Sequence, residues 1–177
     1  AAATRRAIID IIEQQSDAAR NPGDLLLVYF SGHGNVDRYR RPVAYLLPAD
    51  ADPQSLSATA IRLDDLAHHN LSMAHSVLTL LDCCHSGYAV GLKGEAIPDE
   101  LGQEFGQQAR NIFASVRGRI VLAACAGDQQ ARELRRLRHG AFTYYALEHW
   151  RRSPTVNDLN LYEYIDAALT RNGLPRP

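Results

Sequence analysis

Leu25-Leu26-Leu27-Val28-Tyr29-Phe30-Ser31-Gly32-His33-Gly34 is the stretch that decides the fold. Its first six residues form an unbroken apolar run, bounded upstream by the turn residues Asn21-Pro22-Gly23-Asp24. Such a run marks a strand buried on both faces, as in a parallel sheet. The polar Ser31-Gly32-His33-Gly34 follows at its carboxyl end. Val77 to Leu81 repeats the pattern and runs straight into Asp82-Cys83-Cys84-His85-Ser86-Gly87. Arg119 to Cys125 gives a third buried strand, and Val43 to Leu47 a shorter one stopped by Pro48.

Helical spacing fills the intervals. Apolar residues at Ala7, Ile8, Ile11, Ile12 and Ala18 predict a helix over Ala1 to Ala19, and Ile61 to Asn70 predicts a short one. Gln103 to Val116 is expected to be partly helical. Ala141 to Arg152 and Thr155 to Arg171 read as amphipathic helices, the second capped by Asn157 or Asp158. Tyr88 to Gln103 and the Arg-rich stretch from Gly127 to Gly140 read as loops. Strands alternating with helical crossovers indicate one α/β domain with a mostly parallel central sheet. Sheets of this kind collect their chemistry outside the carboxyl ends of the strands. The His33 and Cys84 segments both sit at such ends.

Composition narrows the function classes. The chain has 177 residues, 46% apolar and 22% charged, which suits one globular domain with a sizeable core. Its 19 basic residues nearly balance 20 acidic ones, so no whole-chain field favours nucleic acid or an anionic membrane. Arg132, Arg135, Arg136 and Arg138 cluster, but Glu133 interrupts them, as on a solvated face. No apolar run approaches the roughly 20 residues of a membrane span. Three cysteines cannot make a disulfide framework, and a reducing, cytoplasmic location is expected. No P-loop or GxGxxG turn supports nucleotide binding.

The chemistry points to a thiol and an imidazole. A cysteine becomes a nucleophile when its thiolate is accessible and a base or cation lies near it. Gly32 and Gly34 flank His33 and are expected to allow positive φ, close ligand approach and free N–H groups facing an oxyanion. His85 competes as base, but neighbours on extended backbone point to opposite sides, so His33 is favoured. Cys83 and Cys125 read as small buried hydrophobes. His68, His69, His75, His139 and His149 read as surface or satisfied histidines. Three consecutive ligands in Cys83-Cys84-His85 lack the spacing of a zinc site. A redox role for Cys83-Cys84 lacks the C-x-x-C geometry.

With these residues in place, LLLVYFSGHG followed by LLDCCHSG resembles the caspase-like cysteine peptidases, and the metacaspases and their prokaryotic relatives more closely than the animal caspases. His33 precedes Cys84 by 51 residues, close to the roughly 50 that separate the two catalytic residues in caspases. Similar phrases occur at Leu46 to Asp50, Ile61 to Leu66, Val121 to Gln130 and Gly140 to Thr143, so the likeness covers about Pro22 to Trp150.

The resemblance implies a caspase-like three-layer sandwich. It implies a cysteine endopeptidase with Cys84 as nucleophile and His33 as general acid/base, and with the N–H groups of Gly34 and Cys84 as oxyanion hole. Asp82 matches the acidic floor of the primary specificity pocket and Ser31 lines it, which implies protein or peptide substrates cut after Arg or Lys. The family's sheet opens with a strand that this chain is expected to lack, as a fragment of a longer protein with further domains. Calcium activation is a property of many metacaspases; Asp64 and Asp65 match two of their aspartates, while Gly91 falls where another is expected. No cofactor is needed for the chemistry itself. Autocleavage in the loop after the nucleophile is implied, with Lys93 as the candidate and Arg110 or Arg117 as alternatives. The alternative function is a catalytically silent caspase-like interaction or scaffold domain.

Overall fold

In the computed structural model, which describes residues 2–37, 42–85, 99–124, 140–153 and 158–172, the decisive stretch becomes the long strand β1, Leu25–Asp37. The other elements, in chain order around it, are α1 (Arg5–Ala18), β2 (Val43–Leu47), α2 (Leu56–Thr59), β3 (Ile61–Arg62), α3 (Leu63–Asp65) continuing into a π-helical turn (Leu66–Asn70), β4 (Ser76–His85), α4 (Asp99–Ala114), β5 (Arg119–Ala123), α5 (Ala141–Arg152) and α6 (Asp158–Arg171). The sheet runs β3-β2-β1-β4-β5. Strands β1, β4 and β5 are parallel, whereas β2 and β3 join antiparallel at one edge.

Two apolar layers enclose the sheet. Val77, Leu81 and Cys83 of β4 pack with Phe105, Ala109 and Phe113 of α4, with Leu66, Ala67 and Leu71 around the π turn, and with Ile8, Ile9 and Ile12 of α1. On the other face Leu78 and Leu80 meet Ala141, Phe142 and Ala146 of α5 and Leu161, Ile165 and Leu169 of α6. Period-two alternation along β4 thus serves both layers at once. Thr4 caps α1 by accepting from the Ala7 N–H at 3.3 Å. Ser16, fully buried, ties that helix to the approach of β4 by accepting from the Ala74 N–H at 3.0 Å. Gly118, at φ +74°, turns the chain into β5; a Cβ there would lie 2.8 Å from the His75 carbonyl oxygen, so only glycine fits.

Several expectations need correcting. β1 is not buried on both faces: Leu25, Leu27 and Tyr29 are 45 to 47% exposed, because α5 and α6 lie over β4 and leave the β1 row open. Nor does it stop at Phe30, since pairing with β2 over His33–Asp37 keeps the backbone extended through the glycines. Ile61 to Asn70 opens as a two-residue strand before it turns helical. The helix expected from Gln103 starts at Asp99.

Candidate active site

The parallel register of β1 and β4 places the sequence motifs with respect to one another. Leu80 pairs with Tyr29, Asp82 with Ser31, Cys84 with His33, and His85 with Gly34. Matched positions on neighbouring strands fall on one face of a sheet, and successive residues on opposite faces. The positions of His33 and Cys84 therefore share a row on the face of α5. The His85 position belongs to the opposite face, with Gly34. Ser31 and Asp82 form the next row down, and Tyr29 and the buried Leu80 the one below it. Side by side on adjacent parallel strands, two such residues need no loop to bring them together.

His33 is solvent-exposed within β1, which also pairs it with Leu47 of β2. The flanking glycines depart from the expected positive φ. Neither takes positive φ; among the described glycines only Gly23 and Gly118 do. Instead, a Cβ on Gly34 would lie 2.9 Å from the ring of Phe105, which is fully buried, and one on Gly32 would lie 3.0 Å from the ring of Phe30. Two aromatic rings of the α4 layer thus press on the strand backbone where side chains would otherwise stand. The backbone of Gly34 lies between Leu46 of β2 and His85 of β4.

Asp82 is 6% exposed, unusual for a carboxylate. The hydroxyl of Thr143, in the first turn of α5, donates to its Oδ2. The Tyr29 hydroxyl lies 2.8 Å from Thr143 Oγ1. Gly140, which precedes α5, approaches so closely that a Cβ would be 2.5 Å from Asp82 Oδ2. The amino end of α5, where backbone N–H groups carry partial positive charge, thus faces the carboxylate. Sequence reasoning singled out Gly140 to Thr143 only as a familiar phrase and did not connect it with Asp82; β1, β4 and α5 meet only in three dimensions.

Other candidates lie elsewhere. Asp64 is 3.3 Å from His68 Nδ1 and Asp65 3.8 Å from His69 Nδ1, the latter carboxylate also 4.0 Å from Arg62. Calcium takes six to eight oxygens at about 2.3–2.6 Å. Asp64 and Asp65 are turned to separate side chains, and the described residues hold no group of three or more acidic, His or Cys ligands. Arg110 is exposed inside α4, and Arg117 is exposed before β5. Cys83 is buried on the α4 side, and His149 is buried against the ring of Tyr164. Gly91, Lys93, Cys125, Arg132, Arg135, Arg136, Arg138, His139 and Asn157 lie outside the described residues. No helix among the described residues is long and apolar enough to cross a membrane.

A mostly parallel sheet enclosed between two helical layers, with the His33 and Cys84 positions in one row at its carboxyl end, defines the class of three-layer α/β sandwiches. More particularly, the model of the caspase domain, peptidase family C14, matches residues 1–169, and the chain belongs to this family, whose domains are cysteine-peptidase-like. The fold is similar to the crystal structure of protein GSU0716 from Geobacter sulfurreducens, with a TM-score of 0.57 and 20% identity over 93% of this chain and 69% of that one. No curated protein matches the chain.

Proposed function

We propose that this domain is a cysteine endopeptidase that cuts after Arg or Lys, with Cys84 as nucleophile and His33 as general acid/base. The thiolate attacks the carbonyl carbon after the basic residue, and the displaced electron pair goes to the carbonyl oxygen, received by the N–H groups of Gly34 and Cys84. Collapse expels the amine, which takes a proton from the His33 imidazolium, and leaves a thioester. His33 then removes a proton from water; the hydroxide attacks the thioester, and the thiolate departs as the acid is released.

The observation that carries this reading is the register: His33 opposite Cys84, with Ser31 opposite Asp82 one row below. A buried carboxylate next to the reacting row attracts a cationic side chain and repels an acidic one. The deciding experiment compares fluorogenic peptides with Arg, Lys or Asp at the cleavage position. Arg and Lys peptides should be cleaved and Asp peptides ignored, and Asp82→Asn should lower kcat/KM for the basic peptides by roughly a hundredfold, the scale of a buried charge-assisted bond. Equal rates on Asp and Arg peptides would refute the specificity.

The same reading extends to autocleavage after Lys93. Of the alternatives, Arg110 lies within α4, where helical backbone must unwind before a protease can bind it extended. Intact-mass analysis during incubation should show two pieces that meet after Lys93, and Lys93→Ala should remain one chain. Equal fragmentation of that variant would rule out the site.

A further inference from the structure

Three elements converge on the Asp82 carboxylate, and the hydrogen-bond direction among them is fixed. A hydroxyl has one proton. Thr143 commits its own to Asp82 Oδ2, so the Tyr29 hydroxyl, 2.8 Å from Thr143 Oγ1, must be the donor to it. The chain of bonds runs from Tyr29 on β1, through Thr143 on α5, to Asp82 on β4. Among the described residues the Thr143 hydroxyl is the hydrogen-bond partner of this carboxylate.

We infer that Thr143 is a positioning residue for recognition of the basic side chain, aiming the Asp82 carboxylate, with Tyr29 orienting the Thr143 hydroxyl. The inference rests on the reading of Asp82 as the acidic floor of the specificity pocket. Its physical basis is the geometry that a charged hydrogen bond requires. A guanidinium or ammonium gains fully only at about 2.7–2.9 Å from the oxygen. A carboxylate on a short, buried side chain holds that distance only if its own torsion is held. Gly140 closes one side of the carboxylate by contact and Thr143 tethers Oδ2. Tyr29, although 47% exposed as a residue, is tied down through its hydroxyl to the same tether. An apolar contact would serve equally well to seat α5 on the sheet; a one-way chain of two hydroxyls ending on a carboxylate serves to aim it.

The test uses the full chain with Thr143→Val, Thr143→Ser, Tyr29→Phe and Asp82→Asn, and peptides carrying Arg or norleucine at the cleavage position. Thr143→Val keeps the side-chain volume and removes the hydroxyl. It should lower the Arg-over-norleucine ratio of kcat/KM about tenfold, chiefly through KM, the usual scale of one lost hydrogen bond. Thr143→Ser, which restores the hydroxyl, should recover the ratio to within about twofold of wild type, and Tyr29→Phe should lose about threefold. If Thr143→Val does not fold, Tyr29→Phe carries the same comparison, since it changes no ring volume. Agmatine supplies a readout without turnover: it should raise the melting temperature of wild type and of Thr143→Ser, and Thr143→Val should need about ten times more of it for the same rise. Equal losses in Thr143→Val and Thr143→Ser, or no change in the ratio and in agmatine binding in Thr143→Val and Tyr29→Phe, would overturn the positioning role while leaving the pocket intact. An unchanged ratio and unchanged agmatine response in Asp82→Asn would instead remove the pocket reading on which the role depends.

Discussion

Replacing Cys84 with alanine is expected to lower cleavage of an Arg peptide by a thousandfold or more, roughly the loss seen when a covalent nucleophile is deleted. His33→Ala should fall as far, and the double variant no further than either single one, because the two act on one bond-breaking event. Stability should be little changed by the histidine substitution, since His33 is exposed on β1. Cys83→Ala is the control. That thiol is 3% exposed and sits among the α4-side core residues, so its loss should be felt in the melting temperature and not in the chemistry. Cleavage that survives Cys84→Ala but not Cys83→Ala would reassign the nucleophile. A wild-type chain inert toward every basic peptide would favour the catalytically silent, scaffold reading.

These expectations draw on a feature that the sequence could not show. From residues alone, two polar motifs end two apolar runs, and that is enough to suspect a shared site. Which residue stands beside which depends on register, and register is set by the whole set of side chains that must face each core layer. A slip of one residue between β1 and β4 would move Cys84 to the row of Gly34 and put Leu78 and Leu80 against the wrong helices. Burial of Leu78 and Leu80 against α5 and α6, and of Val77 and Leu81 against α4 and its neighbours, excludes that slip.

Local signals set the element bounds where they are strong. Val43–Leu47 and Ala141–Arg152 have the bounds expected of them, the first because Pro48 cannot continue a ladder and the second because Gly140 opens the helix. Elsewhere tertiary contact overrode them. Gly32 and Gly34 look like loop residues in sequence, but strand pairing keeps them extended, and Phe30 and Phe105 take the space a side chain would fill. The apolar Leu25, Leu27 and Tyr29 look buried in sequence, but among the described residues the apolar faces of α5 and α6 pack on β4 and β5, leaving these three 45 to 47% exposed. The link between Asp82 and Thr143 spans 61 positions and has no local signature at all.

Arg119 carries the largest expected effect on stability, and by a route independent of the chemistry. It is 8% exposed at the start of β5, and its Nη2 donates to the carbonyl oxygens of Leu71 at 2.6 Å and Ala74 at 3.0 Å. Among the described residues no carboxylate pairs with it, and burial lowers its pKa from the ordinary arginine value. A buried charge without a counter-ion is costly, and here carbonyl dipoles supply the compensation. They belong to the segment between the π turn and β4, so the guanidinium pins that segment to the neighbouring strand. Arg119→Ala removes the charge and also strands two carbonyls that the guanidinium satisfied. At about 1.5 kcal/mol for each hydrogen bond to a charged group, the loss is about 3 kcal/mol. For a domain of this size that corresponds to a melting temperature lower by roughly 6–12 °C. Arg119→Lys should fall between, because the lysine side chain is one atom shorter than the reach to Nη2, so its ammonium keeps the charge but loses one of the two carbonyls that Nη2 alone serves. Thermal or urea unfolding of the three proteins measures the order directly, and an alanine variant as stable as wild type would show that water satisfies these carbonyls equally well. Cleavage rates far below the melting temperature should stay the same throughout, because Arg119 pairs with Val77 at the amino end of β4, seven residues before Cys84.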